Sequence, residues 1–211
     1  NEIKCLILGS CDQPAMQDMK QMLLRTWLLE SNVLCIDGSK PFDTNIFFNF
    51  HTIFIFSFYL FWNRKEISEK LYEFHQQGGG IIICYGAIRN DLFGFGEPFS
   101  SSLPFECLDP DLLDLAHLSH KNNCNCGCKT MRILCKPKEG AIVEKYWNDG
   151  IPLIIRQHSH HNGCGSIFVF NAIPVSNNII SDQWEADNKY MLHIFGNAII
   201  SVANTVSSRR K

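Results

Sequence analysis

Cys84 ends the apolar run Ile81 to Cys84 and is followed by Tyr85-Gly86. A thiol set where a strand gives way to a helix can be acidified by helix-terminal N–H groups, and the thiolate is the nucleophile. Such a nucleophile needs a base, and the imidazoles on offer are His158, His160 and His161, just before the strand-like run Ser166 to Phe170. The plainer reading is a buried strand-end cysteine without chemistry, and a histidine cluster on a solvated hairpin turn. The second reading is the one favoured here.

A second constellation reads His117-Leu-Ser-His120-Lys-Asn-Asn-Cys124-Asn-Cys126-Gly-Cys128. Thiolate and imidazole are good Zn²⁺ ligands, and four that converge close a tetrahedral structural site. The Cys-x-Cys-x-Cys spacing differs from the usual Cys-x2-Cys knuckle, so His117, His120, Cys124, Cys126 and Cys128 stand as a candidate structural Zn²⁺ set. The alternative is a Cys-rich exposed loop. No other cofactor is expected.

Candidate ligand-binding residues come from the loops that follow the apolar strands. Ser10 and Asp12 follow the first, Tyr59 and Trp62 the third, and Tyr85, Arg89, Asp91 and Glu97 the fourth. Carboxylates there suit sugar hydroxyls, although most acidic loop residues cap helices. Tyr59 to Trp62 is expected to be an exposed contact surface at a strand exit.

The elements that must position these groups follow from apolar periodicity. Ile3 to Leu8, Asn32 to Ile36, Thr52 to Phe58 and Ile81 to Cys84 predict strands, the third covered on both faces. Pro14 to Leu29 and Arg64 to Gln77 predict helices, and Gly78-Gly79-Gly80 ends the latter. From Phe93 to Asn123 the pattern breaks, with a short helical stretch expected near Pro110 to Leu118. Strands at 131–135, 142–146 and 151–156 are then expected in hairpin rhythm, followed by one more buried strand, Ser166 to Phe170, and a closing helix, Trp184 to Val202. Alternation of buried strands and helices implies a mainly parallel sheet, with ligands at the strands' carboxyl ends.

Composition narrows the class. With 211 residues, 45% hydrophobic and 19% charged, the chain can bury a core and is not disordered. A net charge of −2 without a basic stripe argues against nucleic acid as a partner. No apolar stretch approaches the roughly 20 residues of a membrane span. The ten cysteines are expected to be mostly buried thiols of an intracellular protein, because a disulfide framework suits shorter secreted chains. The absence of any Asn-x-Ser/Thr acceptor among the asparagines points the same way. The first residue is Asn1, and the chain is expected to be a domain of a longer cytoplasmic protein.

The run Glu66 to Gly86, the late strand Gly165 to Pro174 and the closing helix together resemble the class I glutamine amidotransferase-like fold, in its ThuA-like and GIFT-like branches. The resemblance covers most of the chain as pattern. It implies an α/β, flavodoxin-like three-layer sandwich with a mainly parallel central sheet. It implies one domain over 1–211, with an irregular Cys-rich insertion at about 93–150. The family's Gly-x-Cys-x-Gly elbow aligns with Ile82-Ile83-Cys84-Tyr85-Gly86, which keeps the Cys and the second Gly. Its His-Pro-Glu aligns with Ala172-Ile173-Pro174-Val175, which keeps only the proline. The resemblance therefore implies a catalytically degenerate domain, a pseudoenzyme that binds protein partners, other domains or a small ligand. A Cys84-dependent hydrolase or amidase, and a ThuA-like carbohydrate-processing enzyme with a saccharide ligand, remain the alternatives.

Overall fold

A computed structural model describes residues 2–88, 94–109, 114–117, 129–158, 163–174 and 189–207. Its centre is a seven-stranded sheet. In chain order the strands are β1 (Cys5–Ser10), β2 (Val33–Asp37), β3 (Thr52–Ser57), β4 (Gly80–Cys84), β9 (Ile142–Tyr146), β10 (Pro152–Gln157) and β11 (Ile167–Phe170). Their spatial order is β2-β1-β3-β4-β11-β10-β9. The first five in that order run parallel; β10 and β9 are antiparallel additions at one edge.

Continuous apolar runs make β1, β3, β4 and β11 the middle of the sheet, and every residue in them is buried. Burial on both faces is what distinguishes such strands from half-exposed alternating ones. Edge strand β2 shows the contrast, with only Val33 buried. On one face Phe195 of α3 (Lys189–Ser207) stacks edge-on against Phe54 and Phe170, at 5.0 and 5.3 Å between ring centroids. Each such pair adds about 1 kcal/mol beyond its buried area.

Helix α1 (Gln13–Leu24) starts where Asp12 caps it and Pro14 enters its first turn, then buries Ala15, Met16, Met19, Met22 and Leu23. It stops at Leu24, short of the Leu29 expected. Helix α2 (Arg64–Gln76) is capped by Asn63 and buries Ile67, Leu71, Phe74 and His75. The glycine run then reverses the chain: Gly78 N donates to His75 O, Gly79 N to Phe74 O, and β4 begins at Gly80.

Two short antiparallel ribbons fill the segment between β4 and β9. One pairs β5 (Phe105–Cys107) with β8 (Cys135–Pro137), the other β6 (Asp114–His117) with β7 (Lys129–Arg132). The helix expected near Pro110 to Leu118 is thus corrected at 114–117, which are strand. A short Leu-rich segment takes its secondary structure from its partner, and pairing with 129–132 overrides local preference. Residues 110–113 and 118 lie outside the described residues. Asn171, at the end of β11, ties the ribbons to the sheet. Its carboxamide accepts from Ile133 N and donates to Ile133 O and Pro152 O, each at 2.9 Å.

Candidate functional site

In a sheet of this order the ligand crevice belongs at the carboxyl ends of β1 and β3, where the strand order reverses. Here the described segment after β3 crosses it. After β3, residues 58–62 fold back over β1: Phe58 N and Tyr59 N both donate to Ser10 O, at 2.8 and 3.0 Å. Ser10 Oγ donates to Leu60 O at 2.8 Å, and Trp62 N to Gly38 O at 2.7 Å. Phe58 and Phe61 are buried in the plug, while Tyr59 and Trp62 remain 49% and 37% exposed, as does Leu60. Three of the four residues 59–62 are thus exposed, and Phe61 is not. Asp12 is engaged as the α1 cap, accepting from Ala15 N at 2.9 Å.

The elbow position is equally occupied. Cys84 is fully buried and is the last residue of β4, level with Phe170 of β11. Burial pushes its thiol well above the ordinary cysteine range, so it is protonated at neutral pH. A nucleophile elbow holds its nucleophile on a strained turn and uses the next backbone N–H as an oxyanion donor. Among the described non-glycine residues only Asn63 has positive φ, so Cys84 is ordinary strand. Tyr85 N is already committed, to Phe170 O and Ala172 O at 3.2 Å each. Ala172 and Ile173, where the sequence resemblance would put a base, are buried, and Ile173 N donates to Thr130 Oγ1 at 3.1 Å.

Gly86 retains a backbone reason to be glycine. Its φ is +85°, and a Cβ there would lie 2.0 Å from Ser57 O. The turn after β4 is thus pressed onto the end of β3. Ser57 Oγ beneath it is buried without a hydrogen-bond partner among the described residues.

The expected partnership of Cys84 with the histidine cluster is not formed at His158. Cys84 is level with Phe170 and Ile154, whereas His158 follows Gln157, which pairs with Ile167 at the other end of β11. Four residues of strand separate the two levels, about 13 Å at ~3.3 Å per residue. His160 and His161 lie outside the described residues. So do Arg89, Asp91, His120, Cys124, Cys126 and Cys128, while His117 ends β6. Among the described residues no three metal-binding side chains converge. Tyr85 is buried. Glu97 is exposed, and its carboxylate accepts from Ser100 Oγ at 2.6 Å and from Ser101 Oγ, which hold it below the usual carboxylate range.

A cavity among the described residues lies at the opposite, amino end of the sheet. It measures about 230 Å³ and is lined by His75, Lys138, Glu139, Gln157, His158 and Cys164 among others. His75 Nδ1 and Gln157 Oε1 are buried without a hydrogen-bond partner among the described residues. Burial pushes His75 down to about 4, so its imidazole is neutral. Cys164 Sγ lies 3.1 Å from Gln76 Oε1. Gly165, which admits β11 here, packs so tightly that a Cβ would meet Gly79 O at 1.8 Å. The sequence reading missed His75. Its signal was its place four residues after Leu71, on the apolar face of α2.

No family model matches the chain, and no curated protein matches it in sequence. Solved structures do. A cytoplasmic protein from Salmonella typhimurium superposes with a TM-score of 0.62 at 13% identity, over 95% of this chain and 99% of that one. A ThuA-like protein from Bacteroides uniformis gives 0.56 at 10% identity, over 95% and 92%. The N-terminal domain of mmIFT52 gives 0.54 at 10% identity, over 92% and 97%. What is shared is the fold. No described helix is long and apolar enough to cross a membrane.

Proposed function

We propose that the chain is a catalytically inert amidotransferase-like domain, a flavodoxin-like three-layer scaffold serving as a binding module of a larger intracellular protein. The observation that carries this reading is the state of Cys84: buried, protonated, in unstrained strand, with its neighbouring N–H committed and apolar residues where a base would stand. The reading needs no cofactor. Binding then falls to what the fold leaves open, namely Tyr59, Leu60 and Trp62 for protein partners and the amino-end cavity for a small polar ligand. Support also comes from the mmIFT52 neighbour, itself a domain of a longer chain.

The test is iodoacetamide labelling of native protein between pH 6 and 9, read at the Cys84 peptide, alongside turnover of amide and ester substrates. Cys84 is expected to stay unlabelled until the protein unfolds, with no turnover. Labelling at pH 6, or hydrolysis lost in Cys84→Ala, overturns the reading. The likeness to ThuA-like proteins favours a second reading, carbohydrate processing at rim carboxylates. That reading requires saccharide binding that Glu97→Gln or Asp91→Asn abolishes.

A further inference from the structure

Cys107 and Cys135 stand directly opposite each other on β5 and β8. The hydrogen bonds around them set the phase of the ladder. Leu108 N donates to Leu134 O at 2.8 Å, and Lys138 N to Pro104 O at 3.0 Å. Hydrogen-bonded and non-hydrogen-bonded pairs alternate along an antiparallel ladder. The bonded pairs are therefore 104 with 138, 106 with 136 and 108 with 134, leaving Phe105 with Pro137 and Cys107 with Cys135 as non-bonded pairs. Pro137, which has no N–H to give, sits in the position this phase allows.

Non-bonded pairs bring the two Cα atoms to about 4.5 Å and both side chains onto one face. A disulfide spans Cα separations of about 4.4 to 6.8 Å, so the bridge needs no backbone movement. The two are not joined by a disulfide in this structure. They differ in access: Cys107 is half-buried, whereas Cys135 is buried beside Asn171 Nδ2, 3.6 Å from its sulfur.

We propose that Cys107 and Cys135 are a redox site that closes to a cross-strand disulfide by exchange with a low-molecular-weight disulfide such as oxidised glutathione. Cys107, as thiolate, attacks one glutathione sulfur; the S–S bond breaks and one glutathione leaves as thiol. Cys135 then loses its proton to solvent, attacks the Cys107 sulfur, and the second glutathione leaves as thiol. The protein gives up two electrons and glutathione disulfide takes them. Burial raises the Cys135 thiol to about 12, which makes Cys107 the entry point. The same access lets reduced glutathione reopen the bond. Closure rings residues 107–135, the stretch that carries the Cys-x-Cys-x-Cys run.

The experiment equilibrates native protein across glutathione buffers of stepped redox ratio, quenches with acid, alkylates and maps the unreduced peptides by mass. One transition is expected, joining the Cys107 and Cys135 peptides with loss of two hydrogens and reversing with reduced glutathione. Concentrated urea is expected to lower the exchange equilibrium constant by about tenfold or more, because the fold no longer holds the thiols together. Cys107→Ser is expected to leave Cys135 reduced throughout. Independent alkylation of both thiols at every ratio overturns the proposal. So does arrest at a Cys107–glutathione adduct, or pairing of Cys107 with Cys124, Cys126 or Cys128.

Discussion

The two ends of the central sheet are built on opposite principles. At the carboxyl end, where this architecture ordinarily binds, the chain spends its polar groups on itself: Ser10 on Leu60, Asp12 on Ala15, Tyr85 N on Phe170 and Ala172. At the amino end, His75 Nδ1 and Gln157 Oε1 are buried beside a cavity without partners among the described residues. A buried polar atom left unpaired costs about 1–3 kcal/mol, so it marks a place the fold has not optimised for stability alone. Among the described residues the carboxyl end carries two such atoms as well: Ser57 Oγ, over which Gly86 is packed, and Trp147 Nε1 in the turn after β9. The position where this sheet order ordinarily binds and the position of the cavity have come apart.

The strongest way to break this contrast is Gly86→Ala. Positive φ and a 2.0 Å approach to Ser57 O leave the methyl no room. The expected loss is about 4 kcal/mol of unfolding free energy, or about 10 °C in Tm by calorimetry. A loss below about 1 kcal/mol would mean that the carboxyl end opens readily and is not sealed.

Next in size is the pH response of the amino end. His75 has a native pKa of about 4 against 6.5 when exposed, so between these values the unfolded chain binds more protons. Stability is therefore full above pH 6.5 and falls as pH drops toward 4, by up to about 3 kcal/mol. Denaturant titrations of wild type and His75→Gln test this; the variant is expected to lose most of that slope. An unchanged slope would place the acid sensitivity elsewhere.

The smallest effect sharpens the comparison at the rim. Asp12→Ala is expected to cost about 1 kcal/mol by chemical denaturation, the ordinary value of an N-cap, and to leave saccharide titrations unaltered. A loss of ligand binding without loss of stability would return Asp12 to the candidate site.

The central strands were legible because unbroken runs such as Ile53 to Phe56 leave no polar face to expose, which forces burial on both sides. Helix α2 was legible from its amphipathic period and the glycine run. The plug at 58–62 was not, since an aromatic strand exit reads the same whether it turns outward or back over β1. The Cys107–Cys135 register depends on the inserted ribbon's tertiary path and leaves no local trace. The position of His158 was partly legible: residues that precede a parallel strand lie at its amino end, so a cluster before β11 starts on the far side from Cys84. The stretch 114–117 misled because leucine and alanine favour a helix until a neighbouring strand claims them.

Asn171 has a wider consequence. One carboxamide stands in for a missing strand residue, reading both the N–H and the C=O of Ile133 while also holding Pro152. The inserted ribbons are thus stitched into the same ladder that closes the sheet. With the bond from Ile173 N to Thr130 Oγ1 and the Arg132–Asp149 ion pair, that stitch makes the ribbons and the sheet one cooperative unit, expected to melt in a single transition.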